Sequence, residues 1–106
     1  MITATFTERG KNLSLRLEGH AGYARRGKDI VCASASILAY TLAYIVDSLD
    51  GVETVINLKS GDATIECQCK DEQTYAKVAD AYNYTKSGYA LLAQNYPQHV
   101  RLNALT

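Results

Sequence analysis

Seventeen consecutive residues, Ile30 to Val46 (IVCASASILAYTLAYIV), carry no charge. As a helix the run extends about 25 Å at the usual rise per residue. A bilayer span needs roughly 20 predominantly apolar residues; this run falls short, holds Ser34, Ser36 and Thr41, and is bounded by Asp29, Asp47 and Asp50. It therefore reads as a core helix. A helix apolar on nearly every side must be covered on nearly every side, and Ala33, Ala35, Ala39 and Ala43 permit close packing. Gly51 stands where a C-terminal cap is expected.

The cover has to come from a chain of 106 residues, enough for one core and too little for two, so residues 1–106 are expected to form a single domain. Before the helix, Thr3 to Thr7 and Leu13 to Gly19 alternate in character around a Gly10 turn, with Leu13, Leu15 and Leu17 on one strand face. After it, Glu53 to Leu58 and Ala63 to Cys69 form a second strand pair around Gly61. Asp71 to Gln94 reads as a second helix that stops before Pro97. Tyr75, Tyr82, Tyr89 and Tyr96 recur along it every seven residues, as a core face or subunit seam does. Val100 to Leu105 supplies a short edge strand. The order strand, strand, helix, strand, strand, helix implies an α+β two-layer sandwich with both helices on one sheet face. One sheet and one neighbouring helix leave part of the uncharged helix open, so a homodimer is expected to cover it.

Eleven Lys and Arg balance eleven Asp and Glu. That supplies no long-range field for nucleic acid or anionic lipid, and neither is expected as a partner. Three cysteines in a chain opening MITATFTERG, with no basic segment followed by an apolar stretch, argue for a cytoplasmic protein rather than a disulfide-stapled secreted one. Cys67 and Cys69 share a strand face with Ile65 and read as core. Cys-x-Cys is also too tight for a zinc knuckle, so neither a metal nor another cofactor is expected.

Cys32 is different. Asp29 is placed as the N-cap of the uncharged helix, which puts Cys32 in its first turn, where unpaired N–H groups and the helix dipole favour an anion. The preceding segment, Gly19-His20-Ala21-Gly22-Tyr23-Ala24-Arg25-Arg26-Gly27-Lys28, carries three glycines and is free to close over a ligand. It brings His20 from a strand end towards the helix start. A thiol and an imidazole from separate elements make a nucleophile and its base, and N–H groups near the helix start would hold the oxyanion. Ser36 lies one turn beyond Cys32 on the same face. The rival reading of Cys32 is a small buried apolar residue.

Gly19-His20-Ala21, the glycine-containing loop, and Gly27-Lys28-Asp29-Ile30-Val31-Cys32-Ala33-Ser34-Ala35-Ser36 together resemble the bacterial ribosomal-processing cysteine proteases (Prp, YsxB-like). The likeness extends over nearly the whole chain in element order and in the closing Gln94-Asn95-Tyr96-Pro97; Ser34 and Ala35 stand where alanine and valine are usual. The resemblance implies a homodimeric cytosolic cysteine peptidase that removes an N-terminal extension from a large-subunit ribosomal protein of the L-twenty-seven type. It places the nucleophile on Cys32 and the base on His20, with Asp29 and Ser36 supporting them and Gly19 as a hinge. Ala21, Gly22, Tyr23, Gly27 and Lys28 fall in the loop that would cover the peptide. The alternative from the residues alone is a non-catalytic dimeric interaction module associated with ribosomes, in which the apolar helix and the tyrosines serve assembly only.

Overall fold

The computed structural model describes residues 1–105. Strand β1 (Ile2–Arg9) turns at Gly10 into β2 (Asn12–Glu18); helix α1 (Ile30–Asp47) follows the long loop; β3 (Val52–Lys59) and β4 (Asp62–Cys69) form the second hairpin; α2 (Glu72–Asn95) and β5 (Val100–Leu105) complete the chain. The sheet runs β3-β4-β2-β1-β5. All its pairings are antiparallel except β1 with β5. The α+β sandwich read from the sequence is thus the architecture observed.

Alternation decides which face meets the helices. Ile2, Ala4 and Phe6 of β1, Leu13 and Leu15 of β2, and Ile65, Cys67 and Cys69 of β4 are buried in one core with Val31, Ala35, Ala39, Leu42 and Val46 of α1. The tyrosines belong to the same core. Tyr82 and Tyr89 are buried and meet Phe6 with ring centroids at 5.2 and 5.6 Å, while Tyr75 and Tyr96 pack at its margin. The Tyr89 hydroxyl donates to the Ala35 carbonyl at 2.5 Å, tying α2 to α1. By length and mean hydropathy, 1.7, α1 is the one helix among the described residues that matches a membrane span; here six of its residues pack into this core.

The helix ends earlier than Gly51. Ser48 is the C-cap, its N–H and hydroxyl both bonded to the Ile45 carbonyl, and Gly51, at φ +81°, serves the turn into β3.

Burial of acids that must stay neutral gives the fold a pH limit. Removal from water pushes Tyr82 up to about 12 and Cys67 up to about 11, and raises Tyr89 further. Their unfolded counterparts ionise nearer 10 and 9. The folded state therefore holds protons that the unfolded chain gives up, so stability present below pH 9 is lost as pH rises towards 12. The urea midpoint is expected to be level between pH 7 and 8.5 and to fall steadily by pH 11, less steeply in Y89F. A level midpoint up to pH 11 would contradict this assignment.

Candidate active site

The loop between β2 and α1 is pinned at both ends. At its start Gly19, at φ +88°, donates its N–H to the Gly61 carbonyl at 2.9 Å. The next carbonyl, of His20, accepts from the Met1 nitrogen at 2.5 Å. The His20 ring rests on the β3–β4 turn, so close that a Cβ on Gly61 would stand 2.7 Å from Nε2. The sequence marks Gly61 as the tip of a hairpin. It is also the floor under the imidazole.

At the loop's end Asp29 uses both carboxylate oxygens. Oδ1 accepts from the N–H groups of Val31 and Cys32 at 3.0 and 2.9 Å, capping α1. Oδ2 accepts from those of Tyr23 and Ala24 at 2.9 and 3.1 Å, folding the loop back onto the helix start. Partial burial works against the charge, but the four backbone N–H groups outweigh it and hold the carboxyl below its ordinary range. Asp29 is thus a cap and a loop clamp. Its hydrogen bonds all go to backbone, none to His20.

That bonding pattern bears on the expectation that N–H groups near the helix start hold the oxyanion. The N–H groups of Val31 and Cys32 are taken by the Asp29 carboxylate, and that of Ala33 by the Asp29 carbonyl at 3.1 Å. These three N–H groups of the helix start are therefore already engaged, whereas that of Ile30 has no bond among the described residues. The N–H that does face the thiol comes from the loop: Ala21 donates to Cys32 Sγ at 3.3 Å.

Removing the clamp has a measurable cost. D29A is expected to lose about 1–2 kcal/mol, the usual value of such a cap. Because a depressed carboxylate contributes stability above its unfolded value near 3.8 and loses it below, the gap between wild type and D29A should close as pH falls through 4. A gap unchanged at pH 3 would show that the charge is not what holds the loop.

Two cavities adjoin at Cys32. The smaller, about 130 Å³, runs between the β3–β4 turn and α1, past Leu17, Ala35, Ala39, Tyr40 and Leu58. The larger, about 610 Å³, opens under the loop beside Gly22, Ala24, Arg26, Gly27 and Asp29. Cys32, His20, Ser36 and Ser60 line both. The thiol and the imidazole thus share one wall of an open cleft with space on either side, although they are not hydrogen-bonded to each other here.

The other loop residues divide. Ala21 is 1% exposed and belongs to the core; Tyr23 turns outward and meets Tyr96 and His99 edge to face, each at 5.4 Å; Lys28 lines neither cavity. Sequence reading missed His99, whose ring Nδ1 lies 2.9 Å from the Ala21 carbonyl. No local pattern links positions 78 residues apart. Among the described residues, no group of three or more His, Cys, Asp or Glu side chains is placed to hold a metal ion.

The fold and sequence can be set beside those of known proteins. Residues 1–101 match the family described as Cysteine protease Prp. Among solved structures, SMU.848 from Streptococcus mutans is 31% identical over 100% of this chain and 95% of its own, with a TM-score of 0.73. The essential ribosomal processing protease Prp from S. aureus, in complex with a covalently linked product peptide, is 22% identical over 98% of this chain and 99% of its own, with a TM-score of 0.81. The same protease with a substrate peptide gives 21% and 0.75 over the same shares. No curated protein matches the chain. With the family match covering all but the last five residues, this chain belongs to the cysteine protease Prp family.

Proposed function

We propose that the protein is a processing endopeptidase that removes the N-terminal extension of a large-subunit ribosomal protein of the L-twenty-seven type, with Cys32 as nucleophile and His20 as base. The observation that carries this reading is the shared cleft: one exposed imidazole and one thiol on the wall common to two adjoining cavities, so that a peptide lying through both crosses the sulfur. The ribosomal substrate is carried over from the S. aureus ribosomal processing protease of the same fold.

In this mechanism His20, working from its seat on Gly61, takes the thiol proton, and Sγ attacks the scissile carbonyl. The tetrahedral oxyanion forms beside the sulfur, where the Ala21 N–H already points and where a positioned donor has its largest effect. Collapse breaks the C–N bond, and the proton on His20 goes to the departing amine. Water, deprotonated by His20, then hydrolyses the thioester and frees Cys32. Ser36 lines the cleft one turn deeper and is placed to orient that water. Gly22 and Gly27, both at positive φ, leave the loop free to settle over the peptide with Tyr23 and Lys28 on its outer side.

A second copy of the chain is the proposed cover for the outer face of α1, where Ile37 and Tyr44 are 60% and 79% exposed, and the cytosol is the proposed location. The function is tested by incubating the protein with an extended and an already trimmed ribosomal substrate and weighing the products. One internal cut in the extended form and none in the trimmed form is expected. Equal cleavage of both, or of neither, contradicts the reading.

A further inference from the structure

His99 lies at the far end of the chain from the loop and acts on its backbone. Its own main chain is fixed, the N–H bonded to the Tyr96 carbonyl at 2.9 Å and the carbonyl accepting from Ile2 at 2.8 Å beside the β1–β5 pairing. Its ring is set edge to face against Tyr23. Nδ1 lies 2.9 Å from the Ala21 carbonyl. A carbonyl oxygen only accepts, so Nδ1 carries the proton whether or not the other ring nitrogen does.

We propose that His99 is a positioning residue of the protease site: by holding the Ala21 carbonyl it fixes the direction in which the Ala21 N–H meets Cys32 Sγ. The inference rests on the assignment of Cys32 as nucleophile. Peptide units are planar and rigid, so Ala21 is oriented by whatever grips the planes on its two sides. The plane before it is held by Met1 at the His20 oxygen and by Cys32 at the N–H. The plane after it is held by His99. The neighbouring anchors are Gly61 at Gly19 and Asp29 at Tyr23 and Ala24; between them lies Gly22, at φ +66°, where the chain is free to swivel. Without His99 the Ala21 carbonyl turns, and with it the donor aimed at the sulfur and at the oxyanion that forms there.

The test compares H99F, which keeps a ring against Tyr23 but has no donor, with H99N, whose amide nitrogen falls where Nδ1 was. Two rates are read: alkylation of Cys32 by iodoacetamide at neutral pH, and cleavage of the extended substrate. Cys67 and Cys69 are buried and stay silent. The other polar groups around the thiol, His20 and Asp29 of the loop, Arg26 above it, and Lys59 and Asp62 of the β3–β4 hairpin, are the same in every variant. Loss of one hydrogen bond to a developing anion should slow alkylation and kcat by about tenfold in H99F with KM little changed, and H99N should recover most of both. If H99F does not fold, H99Q takes its place, since its amide reaches the position of Nε2 instead. Wild-type rates in the donorless variant overturn the proposal, as does an equal loss in H99N. If the wild-type protein cuts no extended substrate, the processing reading fails by itself, and the alkylation rates still decide the part played by His99.

Discussion

Replacing His20 by alanine is expected to lower cleavage by at least about a hundredfold, the ordinary worth of a positioned base that also protonates the leaving group. The fold should be untouched, because the His20 side chain is exposed and rests on a turn rather than in the core. Its backbone contacts, the Met1 bond to the carbonyl and the Gly19 bond to Gly61 beside it, do not depend on the imidazole. C32A should remove the activity altogether, since no other described nucleophile shares the wall between the cavities except Ser36 and Ser60, and a hydroxyl without its base is a weak attacker. Cleavage by H20A at the wild-type rate, with a normal thermal transition, would mean that the proton goes elsewhere.

The second large effect separates two glycines of the same neighbourhood. A Cβ on Gly19 would stand 2.3 Å from the backbone oxygen of Met1, and Gly19 sits at φ +88°. Neither the strand start nor the loop can yield cheaply, so G19A should cost about 2–4 kcal/mol in stability from strain and clash together, and activity with it. Gly61 is also left-handed, at φ +75°, but the atoms facing its missing Cβ belong to the His20 ring. A side chain can swing away where a backbone cannot. G61A should therefore lose only about 1 kcal/mol of stability, while displacing the imidazole and cutting turnover at least about tenfold, a loss from misplacing the base rather than removing it. Urea midpoints and kcat for the two variants check this; a G61A protein that is as active as wild type would show that His20 does not work from its seat on that turn.

Most of the architecture was legible because it follows from periodicity: alternating residues placed the four strands of the hairpins, and the uncharged run and the tyrosine repeat placed the helices. The places of Cys32 in the first turn of a helix and of His20 at the edge of the loop were legible because a helix start and a glycine-rich loop are local signals. What escaped depends on packing between distant segments. The His99 bond to Ala21 spans 78 residues, and Gly61 gave only a turn signal although its lack of a side chain makes room for His20. The N–H that meets the thiol escaped for a different reason. Asp29 caps the helix as its position predicts and so takes the Val31 and Cys32 N–H groups, while the N–H at Cys32 Sγ comes from Ala21 of the loop.

The claim that Cys32 performs the attack is tested most directly by a peptide spanning the junction of the extension and bearing an electrophilic chloromethyl ketone. After incubation, the modified residue is mapped by mass spectrometry. One adduct per chain is predicted, on Cys32, with none on Cys67 or Cys69, which are buried, and no labelling in C32A. An adduct on another residue, or an unlabelled Cys32 in protein that cleaves the extended substrate, would contradict the account.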